Sequence, residues 1–359
     1  MRYLCILLLL PAAAIYGQNQ TSQFIKRPAL ETGLIFQRWT SSAEQTLDEI
    51  IVPLVLHYPV SERVSVSVLN TPTYARFARG NVSSRLTAFT DTKISAACIL
   101  GEERALLNFG VSAPTGRTAF NAGETEVAQA ITSRALAMPT SYFGGGVELS
   151  ASLAAAVEWG KWILGGSLGG VYKGSFTPTA GSAQYLPGPE ISLSLGLDRP
   201  FGERYRIFGD VNYTWYAADK LGGAKIFQAD GKINFNLAGI LASENWQTSF
   251  GVDNNLKRQS PFALNNSFSV SYGNELNFSA EIARQMNRDS ALLASTFLRV
   301  HGKNNIGVGE AVVIGFGPGW RGMLLPQLQI EAATHFAIGK LNGNQILGGE
   351  VKLGFIYQL

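Results

Sequence analysis

The residues that could perform acid–base or metal chemistry are few and widely separated along this chain. The three histidines are His57, His301 and His335, and none has a cysteine or histidine neighbour at the short spacing that zinc sites use. The Gly-x-Ser-x-Gly spacing in the glycine-rich stretch Gly165–Gly170 lies within a strand pattern, not at the strand-to-helix turn of a nucleophile elbow. We therefore expect no catalytic residue, no metal and no cofactor. A rim-sited pair of His301 with Ser295 stays a minor alternative.

A larger group of ionisable residues lies on the polar face of segments whose residues alternate between polar and apolar. If these segments close into a barrel, the polar side chains point into its lumen. There they either set the selectivity of a channel or pair with one another and fill the space. Their mixed signs argue against strong selectivity for anions or cations. The lumen-lining candidates are Glu148, Glu158, Glu190, Arg204, Arg206, Asp210, Lys232, Glu281, Glu331, His335 and Lys352.

The longest predicted loop, Pro114–Tyr142, contains a segment with helical spacing. Val127, Ile131 and Met138 fall on one helical face, and Arg134 follows late in the segment after early acidic residues. This pattern predicts a short helix. One interpretation is a constriction element that folds into a pore, or a lip that receives an apolar substrate. The other is an external loop that packs on its neighbours.

The elements that position these residues are predicted to be strands, and the last of them, Glu350–Leu359, is the clearest. Its odd-numbered residues from 351 to 359 are all apolar, as in a strand with one apolar face. The spacing of Lys352, Gly354, Tyr357 and Leu359 resembles the assembly signal of outer-membrane β-barrels, although many such signals end on an aromatic residue. The resemblance implies the barrel-assembly machinery as a partner.

About sixteen candidate strands can be counted, and several alternate clearly, including Arg63–Val68, Glu190–Asp198, Arg204–Tyr216 and Gln327–Ile338. This number exceeds what one soluble sheet normally contains. Short and long connections also alternate over most of the chain, as in barrels with short periplasmic turns and longer extracellular loops. The six tryptophans lie near predicted strand ends, where membrane interfaces favour them, and Trp320 falls in a predicted Gly-Pro-Gly-Trp turn. We count Asn70–Ser84 among the long loops.

Composition and the N-terminus indicate an exported membrane protein. Residues 1–17 form a short apolar run after Arg2 and before a polar stretch, as in a secretory signal peptide cleaved near Gly17. Hydrophobic residues make up 46% of the chain and charged residues only 15%. No later apolar run approaches the ~20 residues that a spanning helix needs, so a bilayer would be crossed by a closed barrel. The charges are nearly balanced, which predicts no nucleic-acid partner.

Two stretches resemble known outer-membrane proteins. Ala105–Arg117, an apolar strand that ends in Gly-x-x-x-Pro-Thr-Gly, and Asp198–Asp219 are similar to proteins linked to aromatic-hydrocarbon degradation. Those proteins belong to the wider group of long-chain fatty-acid uptake channels. The resemblance implies twelve to fourteen strands and the uptake of small apolar molecules. The Asn-Pro-Ala element of the fatty-acid channels is absent, so no residue role is transferred.

The sequence thus predicts one all-β domain, residues 18–359, in the outer membrane of a diderm bacterium. It would be an antiparallel up-and-down barrel of 12–16 strands, with a direct count of 16 and a short helix in one extracellular loop. The expected function is passive uptake of small, hydrophobic molecules. The alternatives are a structural or surface-binding barrel with a closed lumen and a rim-sited lipid-modifying enzyme. Expected partners are outer-membrane lipid, lipopolysaccharide and a small apolar solute, and the oligomeric state stays open.

Overall fold

The structure is a computed structural model that describes residues 27–359, apart from residues 103 and 141 and the ranges 179–180, 258–259, 262–268, 271–272 and 304–309. The expected signal peptide, residues 1–17, lies outside the described residues. Among the described residues, no helix has the length and apolar character needed to cross a membrane.

The described chain forms β-strands and one short helix, α1 (Ala122–Ile131). The first strands are β1 (Ala29–Ser41), β2 (Gln45–Ile51), β3 (Leu54–Ser61), β4 (Val64–Asn70), β5 (Pro72–Arg79), β6 (Val82–Phe89), β7 (Thr92–Leu100) and β8 (Ala105–Ala113). They are followed by β9 (Glu148–Trp159), β10 (Trp162–Lys173), β11 (Tyr185–Leu186), β12 (Glu190–Phe201), β13 (Tyr205–Tyr216), β14 (Asp219–Leu221), β15 (Ala224–Phe227) and β16 (Lys232–Ala242). The last are β17 (Trp246–Lys257), β18 (Ser260–Pro261), β19 (Ser269–Val270), β20 (Glu275–Asn287), β21 (Ser290–His301), β22 (Ala311–Leu325), β23 (Leu328–Leu341) and β24 (Asn344–Gln358).

One antiparallel sheet closes on itself. Each long strand pairs with its neighbour in the chain, and β1 pairs with β24 from Ala29 opposite Gln358 to Ser41 opposite Ile346. Closure leaves no sheet edge at this seam, so the backbone N–H and C=O groups of β1 and β24 are paired there. A bilayer requires this pairing because its core offers no water to backbone groups.

Within the described residues the sheet contains 19 segments, but three of its strands are interrupted. Pro53, which has no N–H to donate, separates β2 from β3, and Thr71 separates β4 from β5. Residues 90–91 separate β6 from β7. The register shifts by one residue between the β4–β7 and β5–β6 pairs. Each interrupted pair of segments acts as one strand, so the barrel has 16 strands. The direct count from the sequence is confirmed, and the lower count implied by the resemblance is wrong.

The outer face of the barrel is apolar. In β12, Leu193 and Leu195 are 51% and 65% exposed, whereas Ser194 and Asp198 on the other face are 4% and 2% exposed. The same alternation repeats around the sheet, which confirms the predicted strands. A continuous surface of exposed leucine, valine and phenylalanine belongs against acyl chains rather than water.

The tryptophans follow the interface prediction only in part. Trp159 and Trp162 flank a short turn, and Trp215 and Trp246 lie near strand ends. Trp39 instead points inward and is 4% exposed. The prediction that Trp39 lies at a membrane interface is wrong. β1 continues beyond the apolar band, and its inner face there packs against the hydrophobic core inside the barrel.

Two further expectations need correction. Residues 318–320 do not form a turn, because Trp320 lies within β22 (Ala311–Leu325). The predicted loop Asn70–Ser84 is also wrong, since β5 and β6 form a paired hairpin there. The polar residues of this segment face outward on a sheet that extends past the apolar band, so the segment lacks the apolar alternation that predicts a membrane strand.

The described connections at one end of the barrel are short turns, whereas the other end carries the longer loops together with the short turns 42–44, 80–81 and 342–343. The turns after β7, β9 and β12 contain Gly101, Gly160 and Gly202, each with positive φ, a conformation that glycine adopts without strain. Both described chain ends lie at this end. Because barrels have short periplasmic turns, we assign this end to the periplasm and the longer loops to the cell exterior.

Candidate functional site: the barrel lumen

The largest structural feature of the lumen is the loop between β8 and β9, residues 114–147. It contains α1, which begins at Asn121. The Asn121 side chain accepts a hydrogen bond from Glu124 N at 2.9 Å, and Glu124 Oε2 accepts one from Asn121 N at 3.0 Å. This capping box satisfies two backbone N–H groups that the first helical turn leaves free. The predicted helix is thus present at Ala122–Ile131, while residues 134–137 form turns.

The apolar face of α1 packs on the inside of the barrel. Val127 and Ile131 are 0% and 1% exposed, and Met138 is buried beside them in the same cluster. The wall contributes inward-facing side chains, among them Trp39, Leu86, Val313, Ala337 and Ile346. The loop therefore lies inside the barrel, against β1, β6 and the last three strands.

Asp91, between β6 and β7, holds the two ends of this loop together. Its carboxylate accepts hydrogen bonds from Gly116 N at 2.8 Å and from Gly145 N at 2.9 Å, and Asp91 N donates to Phe143 O at 2.9 Å. In the same region, burial and the nearby Asp91 carboxylate raise the pKa of Tyr142. No local sequence signal marks Asp91, because its partners lie 25 and 54 residues away.

The segment after α1 crosses part of the lumen. Leu136 O accepts hydrogen bonds from Gln37 Nε2 at 3.3 Å and from Arg299 Nη1 at 3.2 Å. Thr140 N donates to the fully buried Glu49 at 3.1 Å. These contacts connect the loop to β1 and β2 on one side and to β21 on the other.

Arg134 provides a further attachment through its charge. Its Nη1 lies 3.0 Å from Glu275 Oε1 in β20, and Lys257 Nζ lies 2.5 Å from the same oxygen. Arg134 is 58% exposed at its side chain, whereas Glu275 is 8% exposed. The loop is thus attached to the barrel wall by an ion pair in which the Arg134 side chain is exposed and the Glu275 side chain is buried.

Ionisable residues form a girdle around the inner wall at the level of this attachment. Register pairing brings Lys173 opposite Glu148, Lys232 opposite Lys257, and Glu275 opposite His301. Lys173 also forms an ion pair with Glu190. The girdle residues are Glu148, Lys173, Glu190, Lys232, Lys257, Glu275 and His301. The sequence pattern identifies Glu148, Glu190 and Lys232 but not Lys173, Lys257 and Glu275, which stand at strand ends.

The remaining lumen-phase candidates lie deeper. Arg206 pairs with Asp198 at 2.9 Å, and Glu331 accepts from Arg321 at 3.0 Å and from Lys352 at 2.9 Å. Most of these charged side chains therefore have partners. The deeper candidates are Arg206, Asp210, Glu281, Glu331, His335 and Lys352, whereas Glu158 and Arg204 lie beside periplasmic turns.

A polar row without large side chains follows the wall opposite the loop. Asn212 Nδ2 donates to Ser194 Oγ at 2.5 Å, and Thr214 Oγ1 donates to Asn212 Oδ1 at 3.0 Å. Asn234 and Asn255 continue the row on the next two strands and are 4% and 7% exposed. This part of the lumen is lined by amides and hydroxyls that pack closely on one another.

Ser295, His335 and Glu350 lie in one row across β21, β23 and β24. Ser295 Oγ lies 2.7 Å from His335 Nε2, and His335 Nδ1 lies 3.3 Å from Glu350 Oε1. The suggested partner of Ser295, His301, is instead at the strand end beside Glu275. The order matches nucleophile, base and acid.

A hydrolase site also needs hydrogen-bond donors that stabilise the oxyanion of the tetrahedral intermediate. Oxyanion holes need free N–H donors aimed at the developing charge. Here Ser295 is paired with Gly317 and His335 with Glu350 in the antiparallel ladder, and Ser295 Oγ also lies 3.3 Å from Gly317 O. The pairing of β22 with β23 is interrupted at Gly317 and Pro318, but among the described hydrogen bonds no N–H group is directed at this row. The arrangement can hold a polar side-chain network within the wall.

The C-terminal residues form part of the closure seam. Gly354 stands opposite Gly33, where an added Cβ would lie 2.5 Å from Leu353 O. Lys352 points inward to Glu331, whereas Tyr357 and Leu359 are exposed on the outer face. Among the described residues, no group of three or more histidine, cysteine, aspartate or glutamate residues could hold a metal ion.

Comparison with known proteins gives structural similarities only. No family model matches the chain, and no curated protein matches it. Solved structures similar to it include OpdQ of Pseudomonas aeruginosa, at 9% identity and a TM-score of 0.48, covering 93% of this chain and 99% of that one. OprD of Pseudomonas aeruginosa is 11% identical with a TM-score of 0.49 and 94% of each chain covered. The CymD monoaromatic hydrocarbon channel is 11% identical with a TM-score of 0.46, covering 92% and 88%. Similarity at this level carries no argument about function.

Proposed function

We propose that the protein is an outer-membrane channel for the passive uptake of small molecules. The observation that carries this proposal is the closed 16-strand barrel with an apolar outer face and a loop folded inside it. Barrels of this strand number leave an aqueous space when side chains alone line them. An internal loop attached to the wall would narrow that space to a selective passage.

The lining favours a small polar solute. Opposite the loop, Ser194, Asn212, Asn234 and Asn255 make the inner wall polar, although they are themselves buried. The girdle adds charges of both signs that are more exposed, such as Lys173 and Glu190. The apolar face of α1, with Val127 and Ile131, is covered by the wall and offers no surface to a solute. The sequence resemblance implies uptake of a hydrophobic molecule. That stays a prediction, because the residues described along the lumen do not form an apolar lining.

The proposed mechanism assigns a role to the loop attachment. A solute would enter among the extracellular loops and pass between the 132–138 segment and the girdle. Arg134 and Glu275 would set the width there, because their ion pair fixes the loop against β20. Passage requires no covalent chemistry, and the row of Ser295, His335 and Glu350 would contribute to wall stability.

A second candidate function is a barrel with a closed lumen whose loops bind a partner. The specific observation that favours it is the pairing of inward charges, such as Arg321 and Lys352 with Glu331. Paired charges and closely packed amides can fill a lumen as well as line one. A measurement of flux distinguishes the two functions.

We would reconstitute the purified protein in liposomes and measure the uptake of a small sugar and of an aromatic hydrocarbon. The variants are a deletion of residues 118–138 and Glu275→Gln, which removes the charge that holds Arg134. The matched control is Glu281→Gln, a lumen-phase glutamate on the same strand. All proteins should first show resistance to trypsin, so that only folded barrels are compared.

We expect sugar flux in the wild type, a severalfold increase on loop deletion, and a smaller increase for Glu275→Gln but not for Glu281→Gln. Selective flux of the hydrocarbon would contradict the polar solute and support the apolar one. Absence of flux for either solute in every folded variant would overturn the channel and favour the closed barrel.

A further inference from the structure

An arginine-rich row lies on the outer surface of the barrel at its extracellular end. Arg38 in β1 stands opposite Asp48 in β2, Asp48 opposite Arg76 in β5, and Arg76 opposite Arg85 in β6. We call these four residues the arginine row. It crosses three strand spacings of about 4.8 Å each, so it is roughly 14 Å long.

The row faces outward. The residues that alternate with it along the four strands are Gln37, Glu49, Ala75 and Leu86, which are all buried on the inner face. Side chains of consecutive strand residues point to opposite faces of the sheet. The guanidinium groups therefore lie on the side of the wall that meets the membrane.

The neighbouring rows locate the arginine row relative to the bilayer. The next row toward the periplasm consists of Phe36, Ile50, Tyr74 and Thr87. The next row toward the cell exterior consists of Thr40, Thr46, Ala78 and Ser83. Apolar and aromatic side chains thus give way to arginines and then to small polar residues, which is the order expected where acyl chains end and headgroups begin.

The charge in this row is not balanced. Arg38 pairs with Asp48, at 2.6 Å from Nε to Oδ1. Within the part of the chain that the structure describes, Arg76 and Arg85 have no ion pair, and Arg76 Nε has no hydrogen-bond partner. Three guanidinium groups against one carboxylate leave a net charge of +2.

At the extracellular ends of β13, β17 and β20, the outward-facing positions are apolar. Trp215 in β13, Leu256 in β17 and Leu276 in β20 are each about two-fifths exposed. The arginine row therefore belongs to one sector, where β1, β2, β5 and β6 carry the wall beyond the apolar band.

We propose that the arginine row binds the phosphate groups of a phosphorylated glycolipid in the outer leaflet. Guanidinium groups bind phosphate oxygens in pairs and retain their charge at every relevant pH. The row presents two free guanidinium groups beside a third, at the height where a lipid headgroup meets the wall. The acyl chains of the same lipid would lie on Phe36, Ile50 and Tyr74. This site goes beyond the proposed channel and does not depend on flux through the lumen.

The test measures binding to the purified full-length protein in detergent. The probes are bis-phosphorylated lipid A, dephosphorylated lipid A and inorganic phosphate, and binding is followed by native mass spectrometry. The variants are the double substitution Arg76→Ala/Arg85→Ala and, separately, Asp48→Asn. The matched control is Arg284→Ala, because Arg284 also lies on the outer face but near the periplasmic turn after β20, over the ring of Trp246.

We expect the wild type and Arg284→Ala to bind bis-phosphorylated lipid A equally, and the double variant to bind it at least tenfold more weakly. Asp48→Asn should bind it more tightly, because it frees Arg38 and removes the negative charge. This increase keeps the proposal testable if the double variant fails to fold. Equal binding by all folded variants, or equal binding of the dephosphorylated lipid, would overturn the site. Inorganic phosphate binding as tightly as the lipid would overturn its assignment to a lipid headgroup.

Discussion

Neighbouring residues in a barrel strand meet opposite environments, and β12 offers a direct comparison. Leu193 is half exposed on the outer face, and Ser192 precedes it on the lumen face. We expect Leu193→Arg to lower the free energy of unfolding by about 2–4 kcal/mol, because it places a charge against acyl chains near the bilayer midplane. Ser192→Arg should cost less, since its charge can reach polar groups in the lumen. Urea titration of the protein folded into lipid vesicles measures both.

Leu193→Ala serves as the control for this pair, because it removes the same side chain without adding a charge. Its cost should be well below that of Leu193→Arg. If Leu193→Arg and Ser192→Arg were equally stable, the two faces of β12 would be assigned wrongly.

Residues could be predicted from the sequence where their environment depends on strand periodicity alone. The outward leucines of β12 are such a case, since polar and apolar residues alternate there without interruption. Asp91 and Glu49 could not be predicted, because their hydrogen-bond partners are loop N–H groups far along the chain. The inward position of Trp39 could not be predicted either, because residue type does not reveal how far a strand continues beyond the membrane.

At the scale of elements, α1 and the loop around it depend on burial inside the barrel. Val127 is fully buried against the wall, whereas Gln129, two residues later, is exposed. Val127→Asp buries an unpaired carboxylate, which costs several kcal/mol unless the helix leaves the wall. We therefore expect Val127→Asp to release the loop and make residues 114–147 sensitive to limited proteolysis in the folded barrel.

Gln129→Asp adds the same side chain to the exposed face of the same helix and should leave the loop resistant. Cleavage of both variants at equal rates would show that the packing of α1 on the wall does not hold the loop. Mass spectrometry of the fragments locates the cut and separates loop release from unfolding of the strands.

Helical spacing predicted that this loop contains a helix, but it could not predict which surface covers the apolar face. That surface combines β6 with β22 to β24, strands from the two ends of the barrel sequence. Conversely, the sequence pattern does not predict β5 and β6 as strands, because Pro72 and polar outward residues interrupt the alternation that a membrane strand would show. Both cases depend on contacts between distant segments, which a local pattern does not contain.

At the scale of the whole molecule, closure between β1 and β24 decides whether the sheet is a barrel. Alternation and loop lengths predicted the number of strands, but the register of this seam joins residues more than three hundred positions apart. The alternating pattern of the C-terminal strand indicates that this strand belongs to a sheet, but it does not indicate which strand is its partner. The seam is therefore the feature of the fold whose register most needs a direct test.

A disulfide across the seam provides that test. Thr32 stands opposite Phe355, so we expect Thr32→Cys/Phe355→Cys to oxidise readily in the folded protein, in a background where Cys98, the free cysteine of the described chain, is replaced by alanine. Val351 lies four residues from this register position, roughly 13 Å along the strand, which is beyond the reach of a disulfide. Thr32→Cys/Val351→Cys should therefore stay reduced. Oxidation joins residues near both ends of the chain and changes its mobility on a denaturing gel, so each variant gives a clear reading. Oxidation of the second pair but not the first would show that β1 and β24 meet in another register, and failure of both would show that the barrel does not close at this seam.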